Sequence, residues 1–303
     1  MEKKVSVIIP FYNGVDWLHD AVQSVLEQTY KNFEIIVVND GSPENIESFL
    51  SKYGELIIYR YKENGGPASA RNLALKIATG DYIAFLDSDD EWLPLKTEKQ
   101  IAFMNTCGAV WSHTGYFNWY PNQNKTVIKN NSEDYGNVYL KSFISLRANT
   151  PAIIIEKKCF ELHPEFIFPE EMRCAEDSYL WSLISYIYPL ALVEEPLIKV
   201  RQRGNNADLS SLLRIQSKSQ IYRELKRGVF QNISQFIHLI YYIYNIEERI
   251  IYFFIKRFRL NNLQMERIGK FLWVLPFCLE RIYLKFIKRD RLDEYKLKNK
   301  ANN

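Results

Sequence analysis

Asp87, Asp89 and Asp90 close a short apolar run, Tyr82-Ile83-Ala84-Phe85-Leu86, within residues 80–92. The run has the length and the aromatic and aliphatic content of a buried strand. The carboxylates therefore stand at a strand's C-terminal end, where open α/β sheets place their ligand crevice. Three neighbouring carboxylates repel one another unless a cation or a set of donors compensates. Mg2+ and Mn2+ favour oxygen ligands of this kind, usually shared with substrate phosphates. The plain alternative is a solvated acidic turn, since short acidic motifs are common by chance.

Such chemistry needs a frame. Strand-like segments at 5–9, 33–38, 56–61 and 82–86 alternate with helix-like segments at 15–28 and 67–77. A short helix is expected from Pro43, with Ser42 as its N-cap. This βαβαβαβ order predicts a parallel, doubly wound sheet. Its four strand-end loops must lie along one edge. They carry Pro10-Phe11-Tyr12-Asn13, then Asn39-Asp40-Gly41-Ser42, then Asn64-Gly65-Gly66-Pro67-Ala68-Ser69-Ala70-Arg71-Asn72, and last the aspartates. An aromatic face, a lone carboxylate, close-approach glycines, an arginine and an acidic cluster are what a nucleotide diphosphate requires. Tyr12 also reads as a packing aromatic, Asp40 as a turn residue before Gly41, and Arg71 as a helix-surface residue.

Further along, a helix is expected at 94–107, a strand at 109–112, a hairpin or loop at 114–132, a helix at 140–147 and a strand at 151–155. A helix at 176–188 and a last strand at 197–201 follow. Beyond about residue 210 the pattern is helical. The expected division is a catalytic unit at 1–209 and a basic, aromatic helical extension at 210–303.

The two parts differ in charge. Of 303 residues with net charge +3, the segment 199–303 carries 22 Lys/Arg against 9 Asp/Glu. The preceding part has 17 against 27. The clusters Lys256-Arg257-Phe258-Arg259 and Lys285-Phe286-Ile287-Lys288-Arg289 interleave basic and apolar residues. Helices of that kind lie in an anionic membrane interface or pack on the catalytic unit with their charges solvated. No nucleic-acid recognition motif accompanies the charge, and nucleic acid is not an expected partner. The longest apolar stretch, 236–260, is broken by Asn245, Glu247, Glu248 and Arg249, so no membrane span is expected. No secretory leader is expected either, because residues 5–11 run into Tyr12-Asn13-Gly14. The four cysteines and four histidines show no metal-ligand spacing, which argues against a zinc site. No GxGxxG follows the first strand, which disfavours a dinucleotide oxidoreductase. A sugar-phosphate nucleotidyltransferase would need a glycine-rich, arginine-bearing loop at that place.

The segments Val-Ile-Ile-Pro-Phe-Tyr-Asn, Val-Asn-Asp-Gly-Ser, Gly-Gly-Pro-Ala-Ser-Ala-Arg-Asn and Leu-Asp-Ser-Asp-Asp, in this order and spacing, resemble glycosyltransferase family 2 with the GT-A fold. Glu176-Asp177 extends the resemblance to about residue 200. The resemblance implies a Rossmann-like, mostly parallel sheet flanked by helices. It implies a metal-dependent, inverting transferase that uses Mn2+ or Mg2+ and a nucleotide-diphosphate sugar. Pro10 and Tyr12 would line the base pocket. Asp40 would accept the imide N–H of uracil, which suits a UDP donor. Arg71 would sit near base and diphosphate, and Asp87 would bind the ribose. Asp89 would hold the metal, with Asp90 close by. Asp177 would take the acceptor's proton, with Glu176 beside it. Acidic residues in a helix's first turn also simply complement its dipole. Relatives often carry Arg-x-His after the last strand. Here the residues are Arg201-Gln202-Arg203, and Arg203 either contacts the diphosphate or is a solvated arginine. The implied acceptor is a saccharide or lipid-linked saccharide in cell-surface polysaccharide synthesis. The implied place is cytoplasmic, peripheral at the inner face of the plasma membrane. A non-catalytic membrane adaptor is the competing class.

Overall fold

The computed structural model describes residues 2–129, 131–172, 174–203, 210–258, 261–286 and 295–297. In chain order, β1 (Val5–Phe11), α1 (Val15–Leu26), β2 (Phe33–Asp40), α2 (Glu47–Tyr53), β3 (Ile58–Lys62), α3 (Pro67–Ile77) and β4 (Tyr82–Phe85) form the alternating first part. Then come β5 (Glu91–Trp92), α4 (Lys96–Cys107), β6 (Trp111–Tyr120), β7 (Lys125–Lys129), α5 (Tyr139–Ser142), β8 (Ile154–Glu156) and α6 (Lys157–Leu162). The remainder is α7 (Glu176–Ile187), β9 (Leu190–Arg201), α8 (Ser211–Lys226), α9 (Gln235–Phe258), α10 (Asn262–Tyr283) and β10 (Lys296–Leu297).

The strands form one sheet in the order β10-β9-β6-β8-β4-β1-β2-β3, with β5 on β9 and β7 on β6. β4, β1, β2 and β3 are parallel, as the alternation predicts. β8 runs antiparallel between β4 and β6. The period-2 alternation of side chains divides each buried strand between two cores. Val5, Val7, Ile9 and Phe11 of β1 face α1 and α4. Ile8 of β1, with Ile83 and Phe85 of β4, faces α3 and α7. Strands buried on both faces read as near-continuous apolar runs, which is why these were legible.

Several boundaries differ from expectation. No helix starts at Pro43. Glu44 instead accepts from Gly14 N (2.8 Å) and Val15 N (2.9 Å), capping α1 from outside, and Ser42 Oγ accepts from Glu44 N. That use of Glu44 delays α2 until Glu47. β6 continues past the expected 109–112 into 114–132, where it forms a hairpin with β7. The expected helix at 140–147 is only α5, and a 3-10 turn at Thr150–Ala152 precedes β8. β9 is seven residues longer than expected at its N-terminal side. Pro196 hides it, and the pairing with β6 shifts register at that proline, opposite Gly115. Near the C-terminus, where the sequence pattern is helical, Lys296 and Leu297 instead pair with β9, and residues 298–303 lie outside the described residues.

α8, α9 and α10 form a third core around Ile215, Ile237, Tyr241 and Tyr244, joined by Tyr139, Phe143 and Met172 from before residue 210. Of the polar residues that break the 236–260 run, Asn245, Glu247 and Glu248 turn inward and Arg249 is exposed. Asn245 Nδ2 donates to Ser219 Oγ (2.8 Å), and Glu248 Oε2 accepts from Ser219 Oγ (2.6 Å) and Arg223 Nη1 (3.0 Å). Among the described residues no helix is long and apolar enough to cross a membrane.

Glu247 is buried on α9, and its Oε2 has no hydrogen-bond partner among the described residues. Burial pushes its carboxyl up to about 8 from an ordinary 4.5. A carboxyl raised by folding favours the fold at low pH, and that contribution is lost as pH rises from its unfolded value through the folded one. Glu247→Gln is therefore expected to melt higher than wild type near pH 8, with the difference shrinking towards pH 5. Thermal melting of both proteins across that range checks this. A difference that does not change with pH contradicts it.

Candidate active site

The ends of β4, α3 and α7 converge on one buried side chain, Arg71. It belongs to α3, whose N-terminal turn is set by Gly66 at φ 88° and Pro67 at the first helical position. Its guanidinium donates Nη2 to Asp87 Oδ1 (2.7 Å) and Nη1 to Glu176 Oε1 (2.8 Å). It also lies over the Phe168 ring, 5.4 Å from its centroid. Burial opposes the charge, and Asp87 with Glu176 more than offset that opposition. Asn72, next in the chain, holds Phe168 in place: its Nδ2 donates to Phe168 O (2.8 Å) and its Oδ1 accepts from Phe168 N (3.0 Å).

The aspartate cluster forms a turn in which Asp90 N donates to Asp87 O. Asp89 Oδ2 pairs with Arg203 Nε at 2.9 Å. Burial, then the charge of Asp87, hold the Asp89 carboxyl above its ordinary range, against the pull of Arg203. Asp90 is more buried, and burial with the charges of Asp89 and Asp87 lifts it well above that range. Its Oδ1 accepts from Arg201 N at 2.8 Å, so it ties the turn to the end of β9. Arg201 completes that tie: Nε donates to Asp89 O (2.9 Å), Nη2 reaches Asp20 Oδ2 (3.0 Å), and the guanidinium covers Trp119 at 4.2 Å.

At the start of α7, Ala175 takes a left-handed backbone at φ 60° and turns Glu176 and Asp177 into the first helical turn. Asp177 Oδ2 accepts from Thr150 Oγ1, and its Oδ1 from Ser178 N, both at 2.6 Å. Glu176 is raised above its ordinary range by burial and by Asp177, with Arg71 opposing.

An open cavity of about 780 Å3 takes in Arg71, Asp87, Asp89, Asp90, Glu176, Asp177 and Arg203. Seven expected site residues thus share one space. Pro10, Tyr12 and Asp40 are not in its lining. Pro10 is buried in β1, and Tyr12 is exposed just beyond it. Asp40, expected to read a base, is buried with its carboxylate already engaged: Oδ1 accepts from Gly65 N (3.0 Å) and Lys62 Nζ (2.8 Å), Oδ2 from Gly66 N (2.7 Å). Gly41 stands at φ 72°, and a Cβ there would lie 2.7 Å from Asn64 N, so glycine lets the two loops close on each other.

Sequence reasoning missed Thr150, Arg201 and Phe168. Their roles depend on contacts between segments far apart in the chain; no local pattern marks Thr150 or Phe168, and the Arg-x-His comparison marks Arg201 without giving it a role. His113 is buried inside β6 with Nε2 2.6 Å from Asp134 O and does not line the cavity.

The donor set fits a hard divalent cation. It is all oxygen, and two of its carboxyls are held above their ordinary range by burial and mutual repulsion, which a cation relieves. Among the described residues no three acids, histidines or cysteines converge at ligand spacing, so a cation held there would need phosphate and water oxygens at its other positions.

The sequence model described as Glycosyl transferase family 2 matches residues 6–159. An uncharacterized glycosyltransferase of Rickettsia bellii is 42% identical over 208 residues, covering 68% of this chain and 30% of that relative. The putative teichuronic acid biosynthesis glycosyltransferase TuaG of Bacillus subtilis is 44% identical over 117 residues, covering 37% of this chain and 46% of the relative. The UDP-Glc:alpha-D-GlcNAc-diphosphoundecaprenol beta-1,3-glucosyltransferase WfaP of Escherichia coli is 46% identical over 115 residues, with the same 37% and 46% coverage. The chain thus spans less than half the length of each of these three relatives. Among solved structures, S. aureus TarS 1-349 with UDP-GlcNAc superposes with a TM-score of 0.63 at 18% identity, covering 93% of this chain and 92% of that one. The mannosyltransferase PcManGT of Pyrobaculum calidifontis, with GDP-Man and Mn2+, gives 0.56 at 16% identity, covering 94% and 79%. These structures share the fold, a curled mixed sheet flanked by helices. From its motifs, its fold and these matches, the chain belongs to glycosyl transferase family 2.

Proposed function

We propose that the chain transfers a sugar, with inversion, from a UDP-sugar to the hydroxyl of a saccharide or lipid-linked saccharide in cell-surface polysaccharide synthesis. The observation that carries this is Arg71, which fastens the strand-end acids to the Glu176-Asp177 helix start inside one cavity. The TuaG and WfaP likeness supports the polysaccharide context.

Pro10 and Tyr12 are assigned to the base's face and Asp40 to its edge, the bonds of Asp40 to Gly65 and Gly66 shaping the loop beside it. Asp87 is assigned to the ribose, with Arg71 fixing its carboxylate. A divalent cation, Mn2+ or Mg2+, would be held by Asp89 with Asp90 beside it, and when bound would neutralise charge on the departing diphosphate. Arg203, now on Asp89, is placed to pair with the same diphosphate. Asp177 takes the proton from the acceptor hydroxyl. That oxygen bonds the anomeric carbon from the face opposite the diphosphate, and the carbon–oxygen bond to UDP breaks. Thr150 and Ser178 N hold the carboxylate of Asp177 in one orientation for this step, and Glu176 orients the acceptor.

The exposed Phe253, Phe258, Phe271 and Phe286, with Lys256, Arg257 and Lys285 nearby in sequence, support peripheral association with an anionic cytoplasmic membrane face. Arg259, Lys288 and Arg289 of the same basic clusters lie outside the described residues.

Asp89→Asn keeps the side chain's shape and removes its charge. It is expected to lower metal-dependent turnover on the order of a hundredfold or more. Steady-state rates against Mn2+ concentration check this, and a wild-type rate with wild-type metal dependence contradicts it. Asp177→Asn is expected to slow transfer by about 10²–10⁴-fold and to spare UDP binding. Calorimetry with UDP beside a transfer assay measures both. Loss of UDP affinity in step with transfer would place Asp177 on the donor side instead.

A further inference from the structure

The cavity does not stop at the carboxylates. Its far wall is made by the C-terminal helices, with Arg214 and Ser217 from α8, Tyr241 from α9, and Trp273 and Phe277 from α10. The family match ends at residue 159, well before these helices. The wall is fastened to the reaction centre. Ser217 Oγ donates to Cys174 O at 2.6 Å, two residues before Glu176.

Two features of this wall bear on what it would hold. Arg214 forms no ion pair among the described residues, and its guanidinium lies over Trp273 at 5.5 Å. Lys218, the neighbouring cation, is by contrast matched by Glu280 at 3.1 Å. Arg147, exposed on the segment after α5, lines the same cavity. The second feature is apolar. Trp273 stacks on Phe277 with centroids 6.3 Å apart, and Phe277 is 43% exposed, so it belongs to both the cavity and the outer surface. From there Phe271, Val274, Leu275, Cys278 and Ile282 continue outward on one exposed helix face. Their spacing, 3, 4, 7 and 11 from Phe271, makes a stripe. A contiguous exposed apolar stripe marks a binding surface.

We propose that this wall is the acceptor subsite, taking an anionic diphosphate at Arg214 and Arg147 with an apolar chain leaving over Phe277 along the α10 stripe. The inference rests on the transferase reading above and names the acceptor's class, a saccharide carried on a lipid diphosphate. The order along the cavity follows the chemistry. The reacting hydroxyl meets Asp177, the saccharide fills the space between, the guanidinium forks take the phosphates, and the aromatic rim passes the chain to the outer face.

Farnesyl diphosphate is the probe, titrated into the full chain with saturating UDP and Mn2+ present and followed by calorimetry. It is expected to bind, and to bind at least tenfold more tightly than inorganic pyrophosphate or farnesol alone. Arg214→Ala is expected to weaken it at least tenfold, and Phe277→Ser at least threefold. Arg214→Gln keeps bulk over Trp273 and carries the test where the alanine variant melts lower. Three results overturn the inference: displacement of the probe by UDP, equal affinity for farnesol, or unchanged affinity in the Arg214 variants. Failure of wild type to bind UDP sinks the transferase reading, whereas the comparison of wild type with the Arg214 variants still decides this subsite.

Discussion

One guanidinium organises the candidate active site. Arg71 is buried where the parallel sheet ends, and it holds Asp87 from β4 and Glu176 from α7 at hydrogen-bond distance. A charge in such a place persists only with partners on both sides, and removing one partner of a buried pair costs about 3–5 kcal/mol. The constraint acts in both directions. The acids would repel one another without the arginine, and the arginine would not stay charged and buried without the acids. Two carboxylate clusters about ninety residues apart in sequence are thereby kept in one cavity.

A second clasp works beside it. Arg201 and Asp90 join the end of β9 to the aspartate turn, which sets where Arg203 meets Asp89. The third core, α8 to α10, packs on Phe143, with Lys218 and Tyr241 both donating to Phe143 O. The helices therefore act as a wall of the cavity, not as a detached appendage.

The parallel half of the sheet was legible because β1, β2 and β4 are buried on both faces and its strands are punctuated by loops of glycine, proline and asparagine. Asp87, Asp89, Arg71 and Glu176 were legible for a related reason: their types and spacing repeat a known family pattern. What stayed hidden depends on distance along the chain. Pro196 and two preceding acids disguised β9, because a strand that shifts register at a proline lacks a strand's local signal. Asn245, Glu247 and Glu248 looked like interruptions of an apolar surface and are instead its buried polar side. Thr150, behind Asp177, belongs to a turn that no periodicity announces. Asp40 shows the converse case, a residue whose type suggests base recognition but whose carboxylate is engaged by its own loop.

The central claim is that Arg71 couples the donor side to the acceptor side. A double-mutant cycle on Arg71→Lys and Glu176→Gln, read by UDP affinity and by transfer rate, tests it most directly. The account predicts strong non-additivity in transfer, with a coupling of about 1–3 kcal/mol, as expected of residues in one buried network. It also predicts that Arg71→Lys alone weakens UDP binding through Asp87. Additive effects within about 0.5 kcal/mol, the behaviour of independent sites, with UDP affinity unchanged in Arg71→Lys, would contradict it.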